Sequence, residues 1–123
     1  MAKGVELKAM KLVMEYEKTK GRKPNDVSKD KNRPFDIKSG RRCIEVKGQG
    51  SKSPRWVWLY KNTLKKLGND VLNYYIYVVY DVKRKPKLRI IPPGKIFGNL
   101  QIDPRFLLPA QVIKDKRIEE IRL

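Results

Sequence analysis

Between Gly4 and Lys20 the apolar residues Leu7, Met10, Leu12, Val13, Met14 and Tyr16 recur at mostly helical spacing. The pattern predicts an amphipathic α-helix that stops at Gly21. The text then turns polar, basic and rich in turn formers from Arg22 to Pro34, which predicts a surface loop. Phe35-Asp36-Ile37-Lys38 and Arg42 to Lys47 alternate with a period of two about Ser39-Gly40, the signature of a β-hairpin. A flexible GQGSKSPR loop leads into a third strand, Trp56 to Leu59. Helical spacing returns from Tyr60 to Leu67, with Leu64 and Leu67 on one side and Gly68-Asn69 as the stop.

Leu72 to Tyr80 is the most apolar stretch, and its β-branched and aromatic content predicts a central strand. After the basic turn KRKPK, Leu88 to Ile91 makes a further strand, halted by Pro92-Pro93-Gly94. From about residue 95 the text assigns less: Phe106 to Leu108 and Val112-Ile113 read as short strands, and DKRIEEIRL as a strand or a helical end. The order helix, hairpin, strand, helix, long strand, strand predicts an α/β fold, a mixed sheet flanked by helices. A length of 123 residues suits a single domain over 1–123.

Charge changes this picture most. Thirty Lys and Arg against 13 Asp and Glu give a formal charge of +17, far more than solubility requires, so a polyanionic partner is expected. Nucleic acid fits, with Lys20, Arg22, Lys23, Lys31, Arg33, Lys38, Arg41, Arg42, Lys52 and Arg55 as candidate phosphate contacts. Such contacts supply salt-dependent affinity without sequence readout. A membrane partner is set aside: no basic amphipathic helix carries an aromatic insertion face, and no apolar run spans a bilayer. The amino terminus mixes acids and bases through its apolar pattern and does not read as a signal peptide, so a cytoplasmic location is expected.

One cysteine, Cys43, and no histidine exclude an internal disulfide, a cysteine-based zinc site, Ser-His-Asp and Cys-His catalysis. Chemistry must come from carboxylates, lysine, hydroxyls or a hard cation held by oxygen. Strand alternation puts Glu45 and Lys47 on one side and Ile44 and Val46 in the core. A surface ion pair is the plain reading of those two charges. Asp36 favours another, because the turn at Ser39-Gly40 folds its strand against that of Glu45, and two carboxylates with a strand carbonyl and waters suit Mg²⁺ or Mn²⁺. Lys47 then stands where it can orient an attacking water or offset charge developing on a phosphate. Cys43, beside that face, reads as a small thiol without a role, and Trp56 and Trp58 read as packing under a loop ahead of base stacking.

Helix, Asp36 and then Ile44-Glu45-Val46-Lys47 resemble the PD-(D/E)xK nuclease superfamily, which includes restriction endonucleases and archaeal Holliday junction resolvases. A longer pattern, Tyr16-Glu17, Gly21-Arg22, Pro24, Asp26-Val27-Ser28, Phe35-Asp36-Ile37, Ser39 and Ile44 to Gly48, is similar to the nuclease-like domain at the C-terminal end of many helicases and of the plant NO VEIN protein. Val57 to Leu59 and Tyr74 to Val79 extend the resemblance over roughly the first 95 residues. It implies a restriction-endonuclease-like fold, with Asp36 and Glu45 as metal ligands, Val46 lending its carbonyl and Lys47 as the catalytic lysine. The superfamily's helix often adds an acid where this chain has Met10. Glu6 and Glu17 share the stripe of Met10, Glu6 being slightly favoured as that third acid. Thr63 stands where the helicase-linked family leads one to expect an acid. The implied function is metal-dependent DNA hydrolysis in repair, recombination or defence, by a homodimer if both strands are cut. Two rivals stay open: a nuclease-fold binding domain without turnover that works with a helicase, and an RNA-binding protein.

Overall fold

The computed structural model describes residues 2–98, 101, 102, 106–108 and 110–123. The first helix, α1 (Ala2–Thr19), buries Val5, Ala9 and Val13, at every fourth position. This stripe is rotated from the one the larger apolar residues suggest: Leu7 is 64% exposed, whereas the small and β-branched residues let the helix approach its sheet closely. Gly21, at φ +78°, takes the left-handed conformation that lets the chain leave the helix.

The chain then forms an edge strand, β1 (Pro24–Asp26), inside the predicted loop. Its Pro-Asn-Asp text has little intrinsic strand preference, and proline is tolerated because this is the sheet's edge. β2 (Ile37–Ser39) and β3 (Arg42–Gly48) make the hairpin, turning at Gly40 with φ +57°. β4 (Val57–Leu59) and α2 (Lys61–Leu67) follow, then a 3₁₀ turn over Gly68–Asn73. β5 (Tyr74–Tyr80) therefore begins two residues later than the sequence suggests, and Leu72 is exposed at the turn. β6 (Lys87–Ile91) precedes α3 (Pro93–Phe97), where proline opens a helix as well as ending the strand before it. β7 (Gln101–Ile102), β8 (Phe106–Leu108), α4 (Ala110–Ile113) and β9 (Glu120–Arg122) complete the order. Val112-Ile113 thus lies in a helix, where a strand was expected, and the final segment is a strand.

Six strands form the main sheet in the order β1-β2-β3-β5-β6-β9, with β3 and β5 parallel and every other pair antiparallel. β4 joins β8 and β7 in a separate three-stranded sheet. Period-two alternation gives the main sheet two buried faces. Ile37, Ile44, Tyr77, Val79 and Leu88 pack under α1, while Cys43, Tyr74, Ile76, Val78 and Ile91 pack under β4, β8, α2 and the short helices. This three-layer arrangement, a mixed sheet with helices on its faces, matches the predicted class.

Candidate active site

At the open end of the hairpin the ladder slips by one residue. Ile37 pairs with Ile44 in register, yet the amide of Asp36, the residue just ahead of β2, also donates to the Ile44 carbonyl at 2.9 Å, so two consecutive residues face one of β3. Such a bulge re-aims a side chain. Here the Asp36 carboxylate turns along β3 and its Oδ2 accepts the Val46 amide at 2.8 Å, taking the place of a backbone acceptor. The Asp36 carbonyl is held too, by the Val27 amide at 2.8 Å, which fixes the residue from both neighbours.

Beside it Glu45 and Lys47 leave β3 together, with Glu45 Oε2 and Lys47 Nζ 3.1 Å apart. The two acids, the lysine and Val46 border a cleft of about 440 Å³, whose other wall is Glu6, Leu7 and Met10 of α1, with Ser28 at its rim. Burial pushes Glu45 up to about 7, Lys47 opposing the rise and the Asp36 charge adding to it. Burial also raises Asp36, against the Val46 amide and Lys47. Two acids whose charges penalise each other in one half-dry cleft form a place where a cation lowers the energy of both.

The donors test that idea. Asp36 Oδ1 and Glu45 Oε1 accept no hydrogen bond from the described residues, so each acid keeps a lone-pair-bearing oxygen. An oxygen-only set of two carboxylates suits Mg²⁺ or Mn²⁺, whose remaining positions are commonly water. Among the described residues, no group of three or more Asp, Glu, Cys or His side chains is gathered closely enough to hold a metal by itself. Glu6 borders the cleft without closing on the pair.

Glu17 stands elsewhere. It continues the buried stripe of Val5, Ala9 and Val13 and is fully enclosed. Arg22 donates to it twice, at 2.5 and 2.7 Å, and the Tyr77 hydroxyl donates once, at 2.8 Å. Burial alone would raise this carboxyl, but those donors outweigh it and hold it below its usual range. The structure therefore brings Glu6, Asp36, Glu45, Val46 and Lys47 to one cleft and puts Glu17 in a separate buried network.

Two contributors escaped the sequence reading. Ser28 turns on Asp26, whose Oδ1 accepts both the Ser28 amide at 2.9 Å and its hydroxyl at 2.6 Å. The Asp26-Val27-Ser28 text was visible, but without β1 nothing placed it at the cleft. Gly48 is the other: a Cβ there would sit 2.9 Å from Ala9 Cβ and 3.0 Å from the Val5 carbonyl. Glycine lets α1 seat closely on β3, with Glu6 on the wall of the cleft.

The basic residues do not form one track into the cleft. Lys20, Arg22 and Arg42 border a groove at the far end of α1. Arg33 and Lys38 border a second depression, where Arg33 meets Asp30 at 3.4 Å and Lys38 donates to the Arg41 carbonyl and to Cys43 Sγ. Lys52 borders a third, while Lys23, Lys31, Arg41 and Arg55 are exposed. Cys43 is completely buried, its thiol pushed up by desolvation, and Trp56 is 47% exposed.

The family model described as "Protein NO VEIN, C-terminal" matches residues 5–91. No curated protein sequence matches the chain. Among solved structures, a Holliday junction resolvase, Hjc of the archaeal hyperthermophile Archaeoglobus fulgidus, superposes with a TM-score of 0.63 at 19% identity, over 94% of this chain and 91% of that one. At such identity the likeness is one of fold alone.

Proposed function

Because this chain belongs to the NO VEIN C-terminal family, whose match covers both strands of the hairpin, we propose that it binds DNA and hydrolyses phosphodiester bonds with Mg²⁺ or Mn²⁺. One observation carries the reading: Asp36, Glu45 and Lys47 border the same cleft, on a fold shared with a junction resolvase. Asp36 and Glu45 would hold the cation, with the Val46 carbonyl as a further oxygen. The cation would supply Lewis-acid stabilisation of the attacked phosphate.

The chain's own groups do the rest. Lys47 brings a positive charge into a partly dry site, where it can steady an attacking water or the phosphate oxygen that gains charge. Its bond to Glu45 aims the ammonium before substrate arrives. Glu6, on the opposite wall, is the third acid of this proposal, able to orient water from the α1 side. Ser28 offers a hydroxyl at the rim.

The fold neighbour and the charge of +17 support DNA as the substrate class. A homodimer, one copy for each strand, is the working unit of this proposal, in the cytoplasm. No helix of the described residues is long and apolar enough to cross a membrane. The second reading, a binding domain without turnover that serves a helicase, draws on Glu6 bordering the cleft without closing on the acid pair.

Branched, nicked, single-stranded and duplex DNA incubated with each metal separates these readings. Hydrolysis of at least one substrate is expected, with loss in Glu45→Ala. No hydrolysis of any of them, with tight binding retained, favours the binding domain.

A further inference from the structure

At the C-terminal end of α1 the sheet is uncovered. Tyr75, Ile90 and Ile121, on the α1 side of β5, β6 and β9, are only half-buried and floor a groove of about 500 Å³. Its rim carries Lys20, Arg22, Arg42, Lys95 and Arg117, with Glu119 the one carboxylate among its described lining residues. Glu17 answers Arg22, and Asp115 answers Arg117 and Lys95. Arg42 and Lys20 meet no carboxylate among the described residues.

Arg42 is held in a particular way. Its guanidinium lies 4.4 Å from the centre of the Tyr75 ring, and its Nη1 donates to the Tyr77 hydroxyl at 2.7 Å. That hydroxyl donates to Glu17, which Arg22 clamps from the other side. The chain of bonds fixes a flat, charged platform whose remaining donors meet no acceptor among the described residues. Lys20 Nζ lies 5.6 Å from the centre of the Tyr16 ring at the groove's edge.

A cationic rim over an aromatic and apolar floor is the composition that recognises unpaired nucleotides. Phosphates take the cations, while a base stacks on a guanidinium plane or an aromatic ring. Duplex phosphates would leave the apolar floor wet. A second copy of the chain seated on this face by two-fold symmetry would oppose two sets of cations. We propose that this groove is a second DNA contact, separate from the acid cleft, which takes an unpaired base on the Arg42–Tyr75 platform and an adjacent phosphate on Lys20. The proposal rests on the nuclease reading only for DNA as the polyanion. α1 links the two places: from Glu6 to Tyr16 the helix rises about 15 Å, roughly four stacked nucleotides.

The test is made in chelator, where hydrolysis plays no part. Wild-type protein is cross-linked by light to an oligonucleotide carrying 5-iodouracil in an unpaired segment, and the linked peptide is mapped. Anisotropy compares a single strand with a blunt duplex at fixed salt for Tyr75→Leu and Lys20→Ala. Linkage to Tyr16 or Tyr75 is expected, with each variant weakening the single strand about fivefold or more and the duplex less than twofold. Linkage elsewhere, equal loss on both DNAs, unchanged single-strand binding in both variants, or a change of oligomeric mass in Tyr75→Leu overturns the proposal. If the cross-link persists in a protein that hydrolyses nothing, the groove stands and the nuclease reading falls; if no DNA binds at all, both fall.

Discussion

Glu45 carries the clearest cost of the cleft. Burial sets its folded value near 7, above the ordinary 4.5, so the folded state holds the proton more tightly than the unfolded chain does. Stability contributed by that proton is present below about 4.5 and is lost as pH rises through about 7. Glu45→Gln, a mimic of the protonated acid, should therefore be more stable than wild type at pH 8, on the order of 2 kcal/mol, and equal to it at pH 4. Urea unfolding at the two pH values checks this, and equal stabilities at pH 8 would show that the acid is not penalised. Glu45 and Lys47 were legible as neighbours because alternation puts them on one side of β3, whereas Asp36, expected within a strand, lies just ahead of β2 and only the short turn brought it near them. The bulge that turns Asp36 onto the Val46 amide was not legible, since it arises from how two strands meet.

Among the elements, α1 serves both the cleft and the groove, and its seat depends on small contacts. Gly48→Ala puts a methyl group against Ala9 and the Val5 carbonyl, at a cost of about 1–3 kcal/mol as the helix is pushed outward. Its chemical denaturation midpoint should fall, and cleavage should fall further than the folded fraction because Glu6 moves with the helix. A midpoint like that of wild type would mean that the contact relaxes freely. Glu17→Ala should cost about 3 kcal/mol, since it strands Arg22 and the Tyr77 hydroxyl, while the surviving folded protein keeps its metal affinity. Lost metal affinity in folded Glu17→Ala would return this acid to the site. The helix itself was plain in the sequence, but its buried face was not. Leu7 and Met14 attract attention by size, whereas Val5, Ala9, Val13 and then Glu17 are what the sheet receives. β1 escaped for the opposite reason: its three residues become a strand only because β2 offers an open edge.

Across the whole molecule, long-range pairing decides what local text cannot. β3 and β5 lie parallel because β4, α2 and the 3₁₀ turn cross between them, and β4 finds its partner in β8, far along the chain. That crossover buries one face of β3 while α1 covers the other, leaving the acids at a cleft on the rim. The charge of +17, read as a single property of the chain, divides among several depressions. The central claim is that Asp36 and Glu45 hold a divalent cation and that Lys47 acts in hydrolysis without being needed to hold it. Titration calorimetry with Mn²⁺, paired with a single-turnover cleavage assay on the same wild-type, Asp36→Ala and Lys47→Ala preparations, tests it most directly. Wild type should bind Mn²⁺ and cut DNA, Asp36→Ala should do neither, and Lys47→Ala should bind Mn²⁺ within a few-fold of wild type yet cut about 100-fold or more slowly. Absence of Mn²⁺ binding in wild type, or cleavage that survives both substitutions, would contradict it.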